Sequence, residues 1–166
     1  GQQQGINPRK EYFDNIKFPV GMLFEDSATI YKIFECADRI VYGDAKLYGY
    51  MHRENSITTK KFSKADCDIL YICDEIVAYM DRKKDHDLIA ASLAYQMSAA
   101  FRIYLNAPRN NQFNDEIKKS EDIIKTNSYK VLLDKNVRRK AKIAIIMFAC
   151  SKKMMIKVYK HVDRWK

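Results

Sequence analysis

A chain of 166 residues with only five glycines and three prolines has few places where a helix must stop. These two residues interrupt regular backbone most strongly, so their scarcity predicts few turns and long helices. The apolar pattern agrees over most of residues 63 to 164. Ser63-Lys64-Ala65-Asp66 reads as a helix start, its hydroxyl placed to take an unpaired backbone N–H. A helix then runs to about Arg82, with Ile69, Ile72, Cys73, Ile76 and Met80 on one side. The polar stretch Lys83 to Asp87 breaks it. A second long helix, Asp87 to Asn106, is dense in Ala, Leu and Met. It ends before Pro108, because proline steers the preceding residue away from helical backbone. Further helices are predicted at about 114–126, 128–134, 136–150 and 152–164.

The first third reads differently. Residues 1 to 10 form a polar, poorly ordered lead, and residues 11 to 24 a loop or short strand shaped by Pro19 and Gly21. From Asp26 onward, Ile30, Ile33, Phe34 and Ala37 recur at helical spacing. Ile40-Val41-Tyr42, then Gly43-Asp44, then Lys46 to Tyr50 reads as a β-hairpin, with Gly and Asp supplying the turn. The expected fold is therefore mainly α: a small α/β piece over residues 1–62, followed by a helical bundle over 63–166.

With 47% hydrophobic and 31% charged residues, the chain has the composition of a folded globular protein, not a disordered one. No apolar run reaches the roughly 18 residues of a membrane span, and the longest, Ile143 to Cys150, is flanked by Lys142 and Lys152-Lys153. The start, Gly1-Gln2-Gln3-Gln4-Gly5, lacks the apolar core of a signal peptide, and Gly1 in place of Met suits a trimmed piece. Cys36, Cys67, Cys73 and Cys150 form no C-x-x-C pair and no metal-ligand spacing. They read as reduced structural thiols, packed among helix-forming residues.

One stretch carries chemistry. Phe18-Pro19-Val20-Gly21 precedes Glu25-Asp26 at a helix start, and Tyr50-Met51-His52-Arg53-Glu54-Asn55-Ser56-Ile57 follows the hairpin. An acidic pair opening a helix is by itself plain complementation of the helix dipole. In this setting, over roughly residues 11 to 65, the chain resembles the C-terminal part of a family 2 inverting nucleotide-sugar glycosyltransferase of the GT-A type.

The resemblance implies a role for each matching residue. Asp26 would be the base that takes the proton from the acceptor hydroxyl as it attacks the anomeric carbon. Glu25 would shape the site beside it, and the helix N-terminus would hold Asp26 ionised through unpaired amides. Gly21 would belong to the substrate-binding loop. Arg53 would steady the departing diphosphate, a task suited to a guanidinium that meets phosphate oxygens with two parallel bonds. His52 would touch metal or phosphate or simply be solvated, and Ser56 would cap the loop or bind a phosphate oxygen.

The family binds a divalent cation, Mg or Mn, through an Asp-x-Asp triplet upstream of the acidic pair. Here Asp66-Cys67-Asp68 and Asp85-His86-Asp87 lie downstream at helix starts and read as dipole partners, so no metal ligand is assigned in this chain. The nucleotide-binding half is expected in a longer parent, and this chain alone is expected to be inactive. The implied partners are a nucleotide-sugar donor and a glycan or lipid-linked acceptor, in bacterial surface polysaccharide biosynthesis. The implied location is the cytoplasm or the inner face of the membrane.

Charge supplies the last signal. Residues 135 to 166 hold eleven basic residues and one acid, a net +10 within a chain of net +9, which leaves the rest at −1. Ile143, Ile146, Met147, Cys150, Met154 and Val158 form an apolar stripe among these lysines. Two readings stand: a packed helix pair with a solvated basic face, or a contact for an anionic membrane surface. Trp165 is an interfacial anchor in the second and a core plug in the first. Nucleic acid is disfavoured, because no recognition motif or aromatic platform accompanies the charge. The alternative to the transferase reading is a free-standing basic helical module that binds membrane, protein or nucleic acid.

Overall fold

The structure, a computed structural model, describes residues 9–41 and 61–163. The chain divides into two compact units, Gly1–Lys61 and Phe62–Lys166. Of the described residues 75% are helical and none is in a strand. The mainly α expectation therefore holds. Of the expected hairpin, only Ile40 and Val41 are described, both exposed and irregular; Tyr42 to Tyr50 lie outside the described residues, as does the polar lead before residue 9.

Among the described residues of the first unit, the 3-10 turn Lys10–Phe13 opens the segment expected as a loop or short strand, and residues 14–24 are irregular, as a loop is. Phe13 stacks on Phe18, ring centroids 5.9 Å apart, which folds this segment on itself. Helix α1 spans Glu25–Glu35. Of the residues at helical spacing, Ile33 is buried together with Ala28 and Thr29, Ile30 is half-buried, Phe34 is exposed and Ala37 lies beyond the helix. Thr29 tolerates burial because its hydroxyl donates to the Glu25 carbonyl at 2.8 Å.

The second unit is a bundle of α2 (Asp68–Lys83), α3 (His86–Asn106), α4 (Asn114–Leu133), α5 (Arg139–Cys150) and α6 (Lys152–Asp163). A 3-10 turn, Lys64–Cys67, precedes α2, so the α-helix begins a turn later than predicted. The Ser63 hydroxyl and backbone N–H both donate to the Asp66 carboxylate at 2.8 Å, fixing that entry. The expected break over Lys83 to Asp87 shrinks to two residues. Lys84 turns the chain in the left-handed region (φ 56°), and Asp85 caps α3 by accepting from the Asp87 and Leu88 amides.

Helix α3 is the centre, packed against both α2 and α4. It buries Leu93, Met97, Ala100, Phe101, Ile103 and Tyr104. α2 contributes Ile69, Leu70, Ile72, Cys73 and Ile76, with Met80 only half-buried. α3 is also long and apolar enough to cross a membrane by length and composition, contrary to the sequence reading. Half of that stretch is buried within the bundle, as befits a core helix.

α4 runs unbroken through the gap expected at 127. Its buried face reads Ile117, Ser120, Ile124, Asn127, Val131, alternating steps of three and four. Asn127 stays helical because its side chain is satisfied by another helix, as described below. Phe148 of α5 meets Phe101 and Tyr104 of α3 edge-on, with centroids 5.9 and 5.1 Å away, and so ties α5 to the central helix. On α6, Met155 is buried, Tyr159 shares hydrogen bonds with Asn106, and Lys152 pairs with Glu121 of α4.

Candidate functional site

The acidic pair sits where the sequence places it, at the opening of α1, and the turn before it explains the geometry. Gly21 has φ +78°, a conformation L side chains rarely adopt, while a Cβ there would meet nothing within 4 Å. The backbone angle, not crowding, requires the glycine. Phe24 then occupies the left-handed region (φ 66°, ψ 35°) as the residue before the helix. A non-glycine residue there carries a strain of about 1–3 kcal/mol. Glu25 and Asp26 are the first two helical residues and both are exposed. Asp26 Oδ1 accepts from the Ser27 amide at 2.7 Å, so one carboxylate oxygen is anchored to a first-turn N–H. The arrangement supplies an oriented, water-accessible carboxylate at the positive end of a helix. Arg53, His52 and Ser56 lie outside the described residues, as does the segment that would close over a donor.

Both Asp-x-Asp triplets are engaged locally. Asp66 binds Ser63 on one oxygen and has Arg102 3.8 Å from the other, and Asp85 caps α3. Among the described residues no group of three or more His, Cys, Asp or Glu could hold a metal ion. The described residues therefore do not fit the divalent cation that the resemblance implies for the parent.

The cysteines separate into two kinds. Cys67 and Cys73 are buried and Cys36 and Cys150 exposed, so only half of the packed-thiol expectation holds; all four are free. Burial pushes the Cys67 thiol up to about 11 and that of Cys73 up to about 12, with Glu116 adding to the first and Asp74 to the second.

Two polar clusters in the bundle were not singled out in the sequence. In the first, Gln96 on α3 donates to Asp74 on α2 at 2.7 Å and accepts from Asn127 on α4 at 2.8 Å. Lys119 reaches the other Asp74 oxygen at 2.6 Å, its ammonium 3.8 Å from the centre of the Tyr71 ring. Asp74, Gln96, Lys119 and Asn127 border an open groove of about 510 Å³, together with Asp115, Lys118 and Asp122. Charges of both signs line it. The only sequence signal was a polar residue in an apolar register: Gln96 stands among Leu93, Met97 and Ala100.

In the second cluster Lys64 lies 2.5 Å from Glu116 and donates to the Gln112 carbonyl at 2.8 Å. Glu116 is buried, and its Oε2 has no hydrogen-bond partner. Burial works to raise the Glu116 carboxyl, but the Lys64 hydrogen bond, a backbone hydrogen bond from its own amide and the Lys64 charge together outweigh it and hold it below its ordinary range.

Comparison of the chain with protein-family models, with curated proteins and with solved structures finds no match.

Proposed function

We propose that this chain is the C-terminal part of an inverting glycosyltransferase that moves a sugar from a nucleotide-sugar donor to a glycan or lipid-linked acceptor. Asp26 is the general base, Glu25 shapes its surroundings, and Arg53 stabilises the departing diphosphate. The observation that carries the reading is the opening of α1. A strained turn through Gly21 and Phe24 delivers Asp26 to the helix N-terminus with its carboxylate exposed and anchored to a backbone amide.

That placement suits the task in physical terms. A base for a sugar hydroxyl must lie within hydrogen-bond reach of an incoming acceptor, so it has to be exposed before the acceptor binds. Its place beside the first-turn amides of α1 also sets a negative charge at the positive end of a helix. Backbone strain concentrates where geometry is imposed for a purpose other than stability, and Phe24 directly precedes the pair. Donor and acceptor specificity belong to segments beyond these residues.

The test is sugar transfer by the full-length protein carrying Asp26→Asn. This change keeps the shape of the side chain and removes its basicity. Loss of transfer by about 10²–10⁴-fold is expected, the contribution of a positioned base. A loss below tenfold would remove Asp26 from the chemistry.

A further inference from the structure

Of the six stripe residues in the charge-rich segment, five are exposed and Met147 is half-buried. On α5 the buried side chains are Ile145 and Phe148, while Ile143 and Ile146 are 56% and 53% exposed on the opposite face, and Cys150 continues that face. On α6 Met155 is buried, and Met154 and Val158 are exposed at 48% and 42%. Around the α5 stripe, Arg139 stands one turn before Ile143, and Lys140 and Lys142 fall on either side of it. Lys153 and Lys157 border the α6 stripe.

We infer that the exposed faces of α5 and α6 bind an anionic bilayer surface, with the isoleucines, Met154 and Val158 entering the headgroup–acyl boundary and the lysines meeting lipid phosphates. The inference does not rest on the transferase reading. Charge complementarity selects the occupant. Seven basic residues occur between Arg139 and Lys160 with no acid among them, and with Lys152 paired to Glu121 six remain for a bilayer. Their long stems can lie along apolar surface while the heads reach outward, as lysines do at membrane interfaces. Ile, Met and Val have no hydrogen-bonding group, and no Phe, Tyr or Trp is among the described exposed residues of either helix. A nucleic-acid surface would call for such rings or for bare charge, and it gives buried methyl groups nothing to enter.

The test is sedimentation of the 166-residue chain with vesicles of phosphatidylcholine alone or with one-third phosphatidylglycerol, at low and high salt. Binding at least tenfold tighter to the anionic vesicles is expected, weakening with salt, because each basic residue near the surface contributes roughly fivefold in affinity. Ile143→Ser with Ile146→Ser should weaken anionic binding at least fivefold without altering the helical circular dichroism or melting, since both side chains are already half exposed. Lys153→Glu with Lys157→Glu should weaken it at least tenfold.

Cys150 gives an independent readout of depth. Its alkylation by a water-soluble maleimide, followed by peptide mass, should slow at least fivefold when anionic vesicles are present. Equal binding to neutral vesicles, or none to either, overturns the proposal. So does an undiminished Ile143/Ile146 variant, or unprotected Cys150 in a chain that sediments; either result would mean adsorption by charge alone. Self-association of the chain that the two serine changes abolish would assign the face to a second copy, and equal affinity for random duplex DNA would make it a generic polycation.

Discussion

Replacing Gln96 by Met tests how the three central helices are held in register. Gln96 and Asn127 are 6% and 9% exposed, and their amides form one chain from Asp74 on α2 through α3 to α4. Methionine has nearly the same length and fills the same space, so the change removes hydrogen bonds and little packing. Asp74 loses its donor but keeps Lys119 and water, because its side chain is 43% exposed. Asn127 is worse placed: its buried Nδ2 is left without the acceptor. Such an orphaned buried group costs about 1–3 kcal/mol. Asn127→Leu produces the mirror case, stranding the Gln96 oxygen at a similar cost. The double variant strands neither, so its loss should fall short of the summed singles by about 1 kcal/mol or more. Urea unfolding followed by circular dichroism measures all four proteins, with unchanged m-values as the check that the unfolded state is comparable. Additive losses in the double variant, or single losses below about 0.5 kcal/mol, would refute the network as a stability element.

Two further outcomes follow from buried groups. An aromatic disulfide reagent at pH 8 should titrate Cys36 and Cys150 quickly, and Cys67 and Cys73 only after denaturation, because the latter are buried and their thiols are pushed up to about 11 and about 12. Four thiols reacting together would contradict the packing of α2. The Glu116 carboxyl, held below its ordinary range, titrates lower in the folded than in the unfolded chain. Its contribution is thus present above the unfolded value of about 4.3 and is lost as pH falls through the lower folded value. The stability gap between the natural chain and Glu116→Gln should therefore be larger at pH 7 than at pH 3, and a gap independent of pH would sink the Lys64 pairing.

What the sequence made legible is what local rules govern. Helix existence over residues 63 to 163 follows from spacing and from the scarcity of breakers, and Pro108 marks the end of α3 within two residues. Asp85 and Ser63 announce their turns by residue type, though Ser63 leads into a 3-10 turn before the α-helix begins. At the candidate site, residue types and the helix start were readable, but the left-handed backbone of Phe24 was not. Phenylalanine gives no hint of positive φ, and only the surrounding chain can impose it. Asn127 shows the same boundary from the other side. As a poor helix former in the middle of a run it suggested a break, whereas its partner Gln96, 31 residues earlier in the chain, makes the helix continuous. No window along the sequence contains that partner.

The face of α5 is the harder case, because its pattern is ambiguous in itself. Ile143, Ile146 and Cys150 form one apolar line, and Ile145 and Phe148 form another on the opposite side. Periodicity says that a helix forms but does not say which line turns inward. The choice is made by size and shape at a distance: Phe148 has two aromatic partners on α3, at centroid separations of 5.9 and 5.1 Å, and edge-to-face pairs contribute about 0.5–1.5 kcal/mol each beyond simple burial. Isoleucines 143 and 146 offer nothing comparable. With Phe148 seated, the helix cannot also bury the opposite line, and two isoleucines are left outward among arginine and lysine. A face exposed because its rival won the core, and bordered by one sign of charge, differs in origin from scattered surface leucines, which need no explanation. The same aromatic contact that closes the bundle therefore creates the apolar surface from which binding to an anionic bilayer is inferred.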